Sequence, residues 1–182
     1  MIKVVAFDLV GVLVHEKDVE LTEVEERLER MFGDNIDDST YILEVKRLCK
    51  GVSIKSVTEE LMRKLYQVGD KNLFKKLKEK YHPVKLVIAT NHVSFVKKFI
   101  VESFDMSGLD DIFISAEIHK IKSQADFYEY ILDKFQLKPE ELLFLDDNLR
   151  NIEGAEKLGI RTIKVDKRTN LIEDISKQIE MG

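Results

Sequence analysis

Ile2-Lys3-Val4-Val5-Ala6-Phe7-Asp8-Leu9-Val10-Gly11 is a β-branched apolar run that meets a carboxylate at Asp8 and a turn signal at Gly11. Its length and its boundaries read as a buried strand. Four later runs share that character, at 85–89, 112–115, 142–145 and 161–165. Segments of helical period separate them, at 94–102, 124–135 and 149–158, the last closed by Gly159 as a C-cap, and another amphipathic helix covers 171–179. Strand alternating with helix predicts an α/β fold, a Rossmann-like parallel sheet flanked by helices.

Between the first and second strands the pattern changes. Residues 15–81 show no clear strand but several apolar stripes at helical spacing, over 19–31, 41–49, 54–66 and 71–81, punctuated by Gly33, Gly51 and Gly69. Four short antiparallel helices make a small bundle. The chain is therefore expected to divide into an α/β core, 1–14 with 82–182, and an all-helical cap inserted at 15–81, with hinges near His15 and His82-Pro83. The first cap helix is acidic (Glu20, Glu23, Glu25, Glu26, Glu29) and the last basic (Lys71, Lys75, Lys76, Lys78, Lys80). Two solvated faces are the simpler expectation, mutual attraction the alternative.

Composition narrows the function. The 182 residues carry 29 Lys and Arg against 34 Asp and Glu, a formal charge of −5, so no global positive field draws in phosphate backbones and nucleic acid is not an expected partner. Cys49 is the only cysteine, which leaves neither a disulfide framework nor zinc-ligand spacing, and a reducing cytoplasm is the expected setting. No apolar run approaches a membrane span and no signal-like segment opens the chain, so no membrane association is expected.

Ligands of an open parallel sheet bind beyond the carboxyl ends of its strands. Here those ends carry Asp8, Thr90-Asn91, Lys122 just after the third strand, and Asp146-Asp147, all polar. Carboxylates gathered at one edge repel, so a divalent cation is their natural counterweight, and hard oxygen ligands select Mg²⁺. His82, His92 and His119 lack the i,i+4 spacing of a zinc helix and are given no metal role.

In order along the chain, these residues resemble the motifs of the haloacid dehalogenase superfamily of hydrolases. Phe7-Asp8-Leu9-Val10-Gly11-Val12-Leu13 is similar to the first motif and Thr90 to the second. Ser115-Ala116-Glu117 leading to Lys122 resembles the third. Phe144-Leu145-Asp146-Asp147-Asn148, with Gly154-Ala155 and Gly159-Ile160 behind it, resembles the fourth. The resemblance implies a Mg²⁺-dependent phosphatase acting on a small phosphorylated molecule. Asp8 would be the nucleophile that forms an aspartyl-phosphate. Asp8, the Val10 carbonyl, Asp146 and Asp147 would supply the metal site. Thr90, Asn91 and Lys122 would hold the phosphoryl group, with Thr90 and Lys122 acting in catalysis beside Asp8.

One position departs from the phosphatase pattern. Where that branch places a second Asp, two residues after the nucleophile, to protonate the leaving oxygen and then deprotonate water, this chain has Val10. Valine has no exchangeable proton, and the lost assistance is usually worth about 10²–10⁴-fold. Three outcomes stand open: a phosphohydrolase that is slow or needs an acidic leaving group, a phosphonatase-like enzyme using Lys50 or Lys55 of the cap to make an imine, and a catalytically impaired Mg²⁺- and phosphate-binding module that regulates a protein partner. The dehalogenase branch fits less well, because it places Tyr at this position and needs no metal. His15, just beyond the first motif, could replace the acid, although an exposed loop histidine is the simpler expectation. Lys50-Gly51-Val52-Ser53 resembles a turn that reaches over the site, with Arg47 or Lys50 as readers of a substrate anion; closure of a helix C-terminus explains the same residues.

Overall fold

The five apolar runs become one parallel sheet in the computed structural model, which describes residues 1–181. β1 (Val4–Phe7) lies in the middle, between β4 (Lys85–Thr90) and β6 (Leu142–Asp146), with β5 (Asp111–Ile114), which runs into the single turn α6 (Ser115–Ile118), and β7 (Arg161–Lys164) at the edges. The order β5-β4-β1-β6-β7 reverses direction across β1 and β6, so the crevice between those two strands is the switch point where such sheets bind ligands. Register brings Phe7 opposite both Ile88 and Leu145, so the residues that follow each strand emerge together at one edge.

Both faces of the sheet are covered, which is why its strands read as continuous apolar runs. Val4, Ala6, Val87, Ala89 and Phe144 face one apolar cluster with α7 (Ala125–Phe135) and α8 (Leu149–Glu156). Val5, Phe7, Ile88 and Leu145 face the other, shared with α5 (Val96–Ser103), α9 (Leu171–Glu180) and the inserted segment. In the insertion, α1 (Glu23–Glu29), α2 (Ser39–Leu48) and α3 (Ile54–Leu65) pack in sequence, and α3 also lies against α5 of the sheet layer.

α4 (Leu73–Lys80) packs on the sheet side: Phe74 meets Phe7 and Phe104 with ring centroids 5.7 Å apart in each case. A Cβ at Gly108 would stand 2.4 Å from the Phe74 carbonyl oxygen, so only glycine admits that approach. The lysines of α4 are not drawn to α1. Lys76 pairs with Asp70, Lys78 with Asp110 and Lys80 with Glu180. Glu25 of α1 instead takes Lys64 of α3. Apolar burial therefore places α4, and charge pairs near its surface follow it, the exposed ones worth about 0–1 kcal/mol each.

The insertion also contains strands where none was expected. β2 (Val14–Glu16) pairs antiparallel with β3 (Tyr66–Val68), Val14 opposite Val68, and forms the neck through which the chain leaves and re-enters the core. Three-residue strands are too short for alternation to show against helical spacing. The helix expected over 19–31 begins only at Glu23, where Thr22 and Glu25 form a reciprocal capping box.

Candidate active site and metal centre

Asp8 is fixed by the strand before it and the turn after it. Its N–H donates to the Leu145 carbonyl at 2.8 Å, which extends the β1–β6 ladder by one residue. The Leu9 N–H donates to Asp8 Oδ1 at 2.7 Å. The chain then folds back through Gly11, at φ +87, with the N–H groups of Leu13 and Val14 both donating to the Leu9 carbonyl. No donor among the described residues claims the Val10 carbonyl.

Lys122 joins the two central strands. Its ammonium lies 2.7 Å from Asp8 Oδ1 and 2.7 Å from Asp146 Oδ2, and its side chain is 2% exposed. Asp146 is fully buried and well supplied with donors: Asn151 Nδ2 reaches Oδ2 at 3.1 Å, and the Asn148 N–H reaches Oδ1 at 2.7 Å. Asp147 is exposed and its carboxylate lies over Gly11. One oxygen from each of Asp8, Asp146 and Asp147 falls within 4.8 Å of the others. Three carboxylates against one lysine leave an uncompensated charge of −2, which a divalent cation neutralises. The donor set, all oxygen and including a free carbonyl, suits Mg²⁺.

The electrostatics carry the same strain. Burial pushes the Asp8 carboxyl up to about 6, with Lys122 opposing and Asp146 adding to the rise. Asp147 is raised as well, first by partial desolvation of its carboxylate, which lies against the Gly11 turn, and then by Asp146. Burial would lower the Lys122 ammonium, but its two carboxylate neighbours more than offset that and hold it above the ordinary lysine range. Lys122 is therefore charged at neutral pH.

Thr90 ends β4 at the same edge and is 1% exposed. Asn91 accepts the main-chain N–H of Lys122 on Oδ1 at 2.9 Å. Asp8, Thr90, Asn91, Lys122, Asp146 and Asp147 thus gather at the carboxyl edge of the sheet. Arg47 and Lys50 stand elsewhere: the Arg47 guanidinium holds Glu44 on its own helix, Lys50 is exposed just beyond α2, and neither bonds to a member of the cluster. Lys55 is exposed beside a hollow of about 460 Å³ between α3 and α5. His15 is exposed on β2, opposite Gln67.

Two supporting residues escaped the sequence. Asn151 stands five positions after Asp146 on the first turn of α8, and an Asn there gave no sign that it would turn inward. His92 is buried behind Asn91, its ring 4.8 Å from that of Phe32 and its Nε2 3.2 Å from the Tyr66 hydroxyl. Nothing in a linear sequence places Phe32 and Tyr66 beside it.

Residues 5–165 match the family of haloacid dehalogenase-like hydrolases. Among curated proteins, the mouse bifunctional epoxide hydrolase 2 is 31% identical over 68 residues, 37% of this chain and 12% of that protein. Mouse acyl-CoA dehydrogenase family member 10 is 24% identical over 155 residues, 80% of this chain and 14% of that protein. The chain thus spans only a small part of the curated relatives it matches. Among solved structures, a predicted HAD-like family hydrolase from Porphyromonas gingivalis superposes with a TM-score of 0.74 at 22% identity, covering 98% of both chains. A HAD family enzyme from Bacteroides thetaiotaomicron, solved in complex with magnesium and inorganic phosphate, gives 0.72 at 17% identity over 95% of this chain and 98% of that one. With the fold shared across those structures and the family matched from β1 through the end of β7, the chain belongs to the haloacid dehalogenase-like hydrolases.

Proposed function

We propose that this hydrolase is a Mg²⁺-dependent phosphatase of small phosphorylated molecules, working through an aspartyl-phosphate on Asp8. The observation that carries the proposal is the buried Asp8–Lys122–Asp146 bridge with Asp147 beside it. Such a site fits an anion and a cation together. The Bacteroides thetaiotaomicron enzyme of the same fold, crystallised with both, is consistent with that chemistry.

An oxygen of the Asp8 carboxylate attacks phosphorus as the ester oxygen departs with its electron pair, giving aspartyl-phosphate and an alcohol or phenol. Water then attacks the phosphorus of that intermediate, releasing inorganic phosphate and restoring Asp8. Two donors on Asp8 Oδ1, the Leu9 N–H and the Lys122 ammonium, fix the plane of the carboxylate. Lys122 offsets negative charge on Asp8 and on the transferring group, and Thr90 and Asn91 hold phosphoryl oxygens. Asp8, the Val10 carbonyl, Asp146 and Asp147 would hold Mg²⁺, which supplies charge stabilisation for the phosphoryl oxygens. Val10 gives the leaving group no proton, so substrates with acidic leaving groups are turned over fastest.

Both alternatives are weaker. Lys50 and Lys55 are exposed, and neither bonds to a member of the Asp8–Lys122–Asp146 cluster. A purely regulatory module would use the same site without turnover. Hydrolysis of an activated aryl phosphate with and without Mg²⁺ separates the cases, with Asp8→Asn in parallel. Mg²⁺-dependent turnover lost in Asp8→Asn is the expected result; turnover indifferent to that substitution belongs to a contaminant, and none at all favours the regulatory reading.

A further inference from the structure

The Lys122 loop is held in place from the insertion as well as from the core. The Lys122 N–H has one acceptor, Asn91 Oδ1, at 2.9 Å. The other end of that amide, Asn91 Nδ2, donates to Asp34 Oδ1 at 2.6 Å. A carboxylate only accepts and a main-chain N–H only donates, whereas an amide does both, so Asp34 and the Lys122 N–H hold Asn91 in the same orientation. Rotated by 180°, Asn91 would set its NH₂ against the Lys122 N–H, and that bond would be lost.

Asp34 is built into this position. It is a non-glycine residue in the left-handed region, at φ +50, within a segment clamped to both core loops that flank the site. The Val93 N–H donates to the Phe32 carbonyl at 3.1 Å and the Ser94 N–H to Asp38 Oδ1 at 2.9 Å. On the other loop, His119 Nδ1 donates to the Ile36 carbonyl at 2.7 Å. Residues 32–38 therefore hold the loops at 91–94 and 119–122 together, and Asp34 is the member of the clamp whose bond leads to the lysine.

We infer that Asp34 is a positioning residue for catalysis: through Asn91 it fixes the Lys122 backbone, and so the ammonium that bridges Asp8 and Asp146. It touches no reacting atom. The inference rests on the role proposed above for Lys122, but its geometric part can be read without turnover.

Two variants test it, Asp34→Ala, which deletes the acceptor, and Asp34→Asn, whose carbonyl can still accept from Asn91. Amide hydrogen exchange at Lys122 is followed by NMR, and kcat and KM are measured on an aryl phosphate with Mg²⁺. Asp34→Ala should speed exchange at Lys122 about tenfold and lower kcat about tenfold with KM little changed, as expected for loss of one charge-assisted hydrogen bond. Asp34→Asn should restore most of both. Unaltered exchange at Lys122 in Asp34→Ala overturns the inference, as do equal losses in the two variants or an unchanged kcat. Should the wild-type chain show no turnover dependent on Asp8, the phosphatase proposal fails by itself, and the exchange data alone then decide whether Asp34 positions Lys122.

Discussion

Gly11 and Asp147, 136 positions apart in the chain, occupy one space: a Cβ on Gly11 would lie 2.2 Å from Asp147 Oδ2. The turn after Asp8 and the loop after β6 can close on each other only because position 11 has no side chain. Gly11→Ala should therefore push Asp147 aside and weaken Mg²⁺ binding at least tenfold. Its φ of +87 adds about 1–2 kcal/mol of backbone strain. Calorimetric titration with Mg²⁺ and urea unfolding check both; an alanine variant equal to wild type in both would contradict the close packing.

Lys122 is the positive charge that stands between two buried carboxylates. Lys122→Met leaves Asp8 and Asp146 buried side by side without compensation, which should cost about 3–5 kcal/mol at pH 7.5 without divalent cations. The deficit should shrink at pH 5, below the value of about 6 already reached by Asp8, because its carboxyl is then protonated. It should also shrink on adding Mg²⁺. Chemical denaturation under the three conditions measures this, and a deficit independent of pH and Mg²⁺ would show that the lysine acts by packing alone.

His92 supplies an acid-sensitive element. Burial holds its ring neutral and pushes its pKa down to about 3, against about 6.5 in an unfolded chain. Between those values the unfolded state binds more protons, so the contribution of His92 is complete above about 6.5 and is lost progressively as the pH falls toward 3. Asp8 has the opposite sign, its burial penalty being relieved as the pH falls through about 6. Comparison with His92→Phe isolates the histidine: the stability of wild type relative to the variant should decline steadily from pH 7 to pH 4 in urea titrations. A flat difference would mean that the ring is solvated or takes up its proton without cost.

Val10→Asp tests the consequence of the missing acid. In single-turnover measurements it should raise aspartyl-phosphate formation from alkyl phosphates by about 10²–10⁴-fold and from aryl phosphates much less, because only poor leaving groups need a proton. The wild-type chain should release phenol in a burst and then turn over slowly, since nothing at position 10 deprotonates the water that attacks aspartyl-phosphate. Equal gains on both substrate classes, with no burst in the wild type, would show that another group already moves the proton.

The sheet was legible because its strands are buried on both faces, and each of the five apolar runs lies within a residue or two of an observed strand. Strand ends then led to Asp8, Thr90 and Asp146, since a parallel sheet gathers such ends at one edge. What the sequence hid depends on contacts between distant segments. The β2–β3 neck is two three-residue strands held by partners about 50 positions apart. Asn151, His92 and Asp34 resemble ordinary polar surface residues until the fold brings Asp146, Tyr66 and Asn91 to them. The capping box at Thr22 and Glu25 was readable by its spacing and marks the true start of α1.

On the proposed function, Asp8, Asp146 and Asp147 share a divalent cation. Crystals grown with Mn²⁺ in place of Mg²⁺ test it most directly, because the anomalous signal of manganese locates the ion without reference to the chemistry. One strong peak is expected about 2.0–2.3 Å from oxygens of Asp8 and at least one of the two later aspartates, lost in Asp8→Ala. A peak elsewhere, or none among these carboxylates at millimolar Mn²⁺, would contradict it.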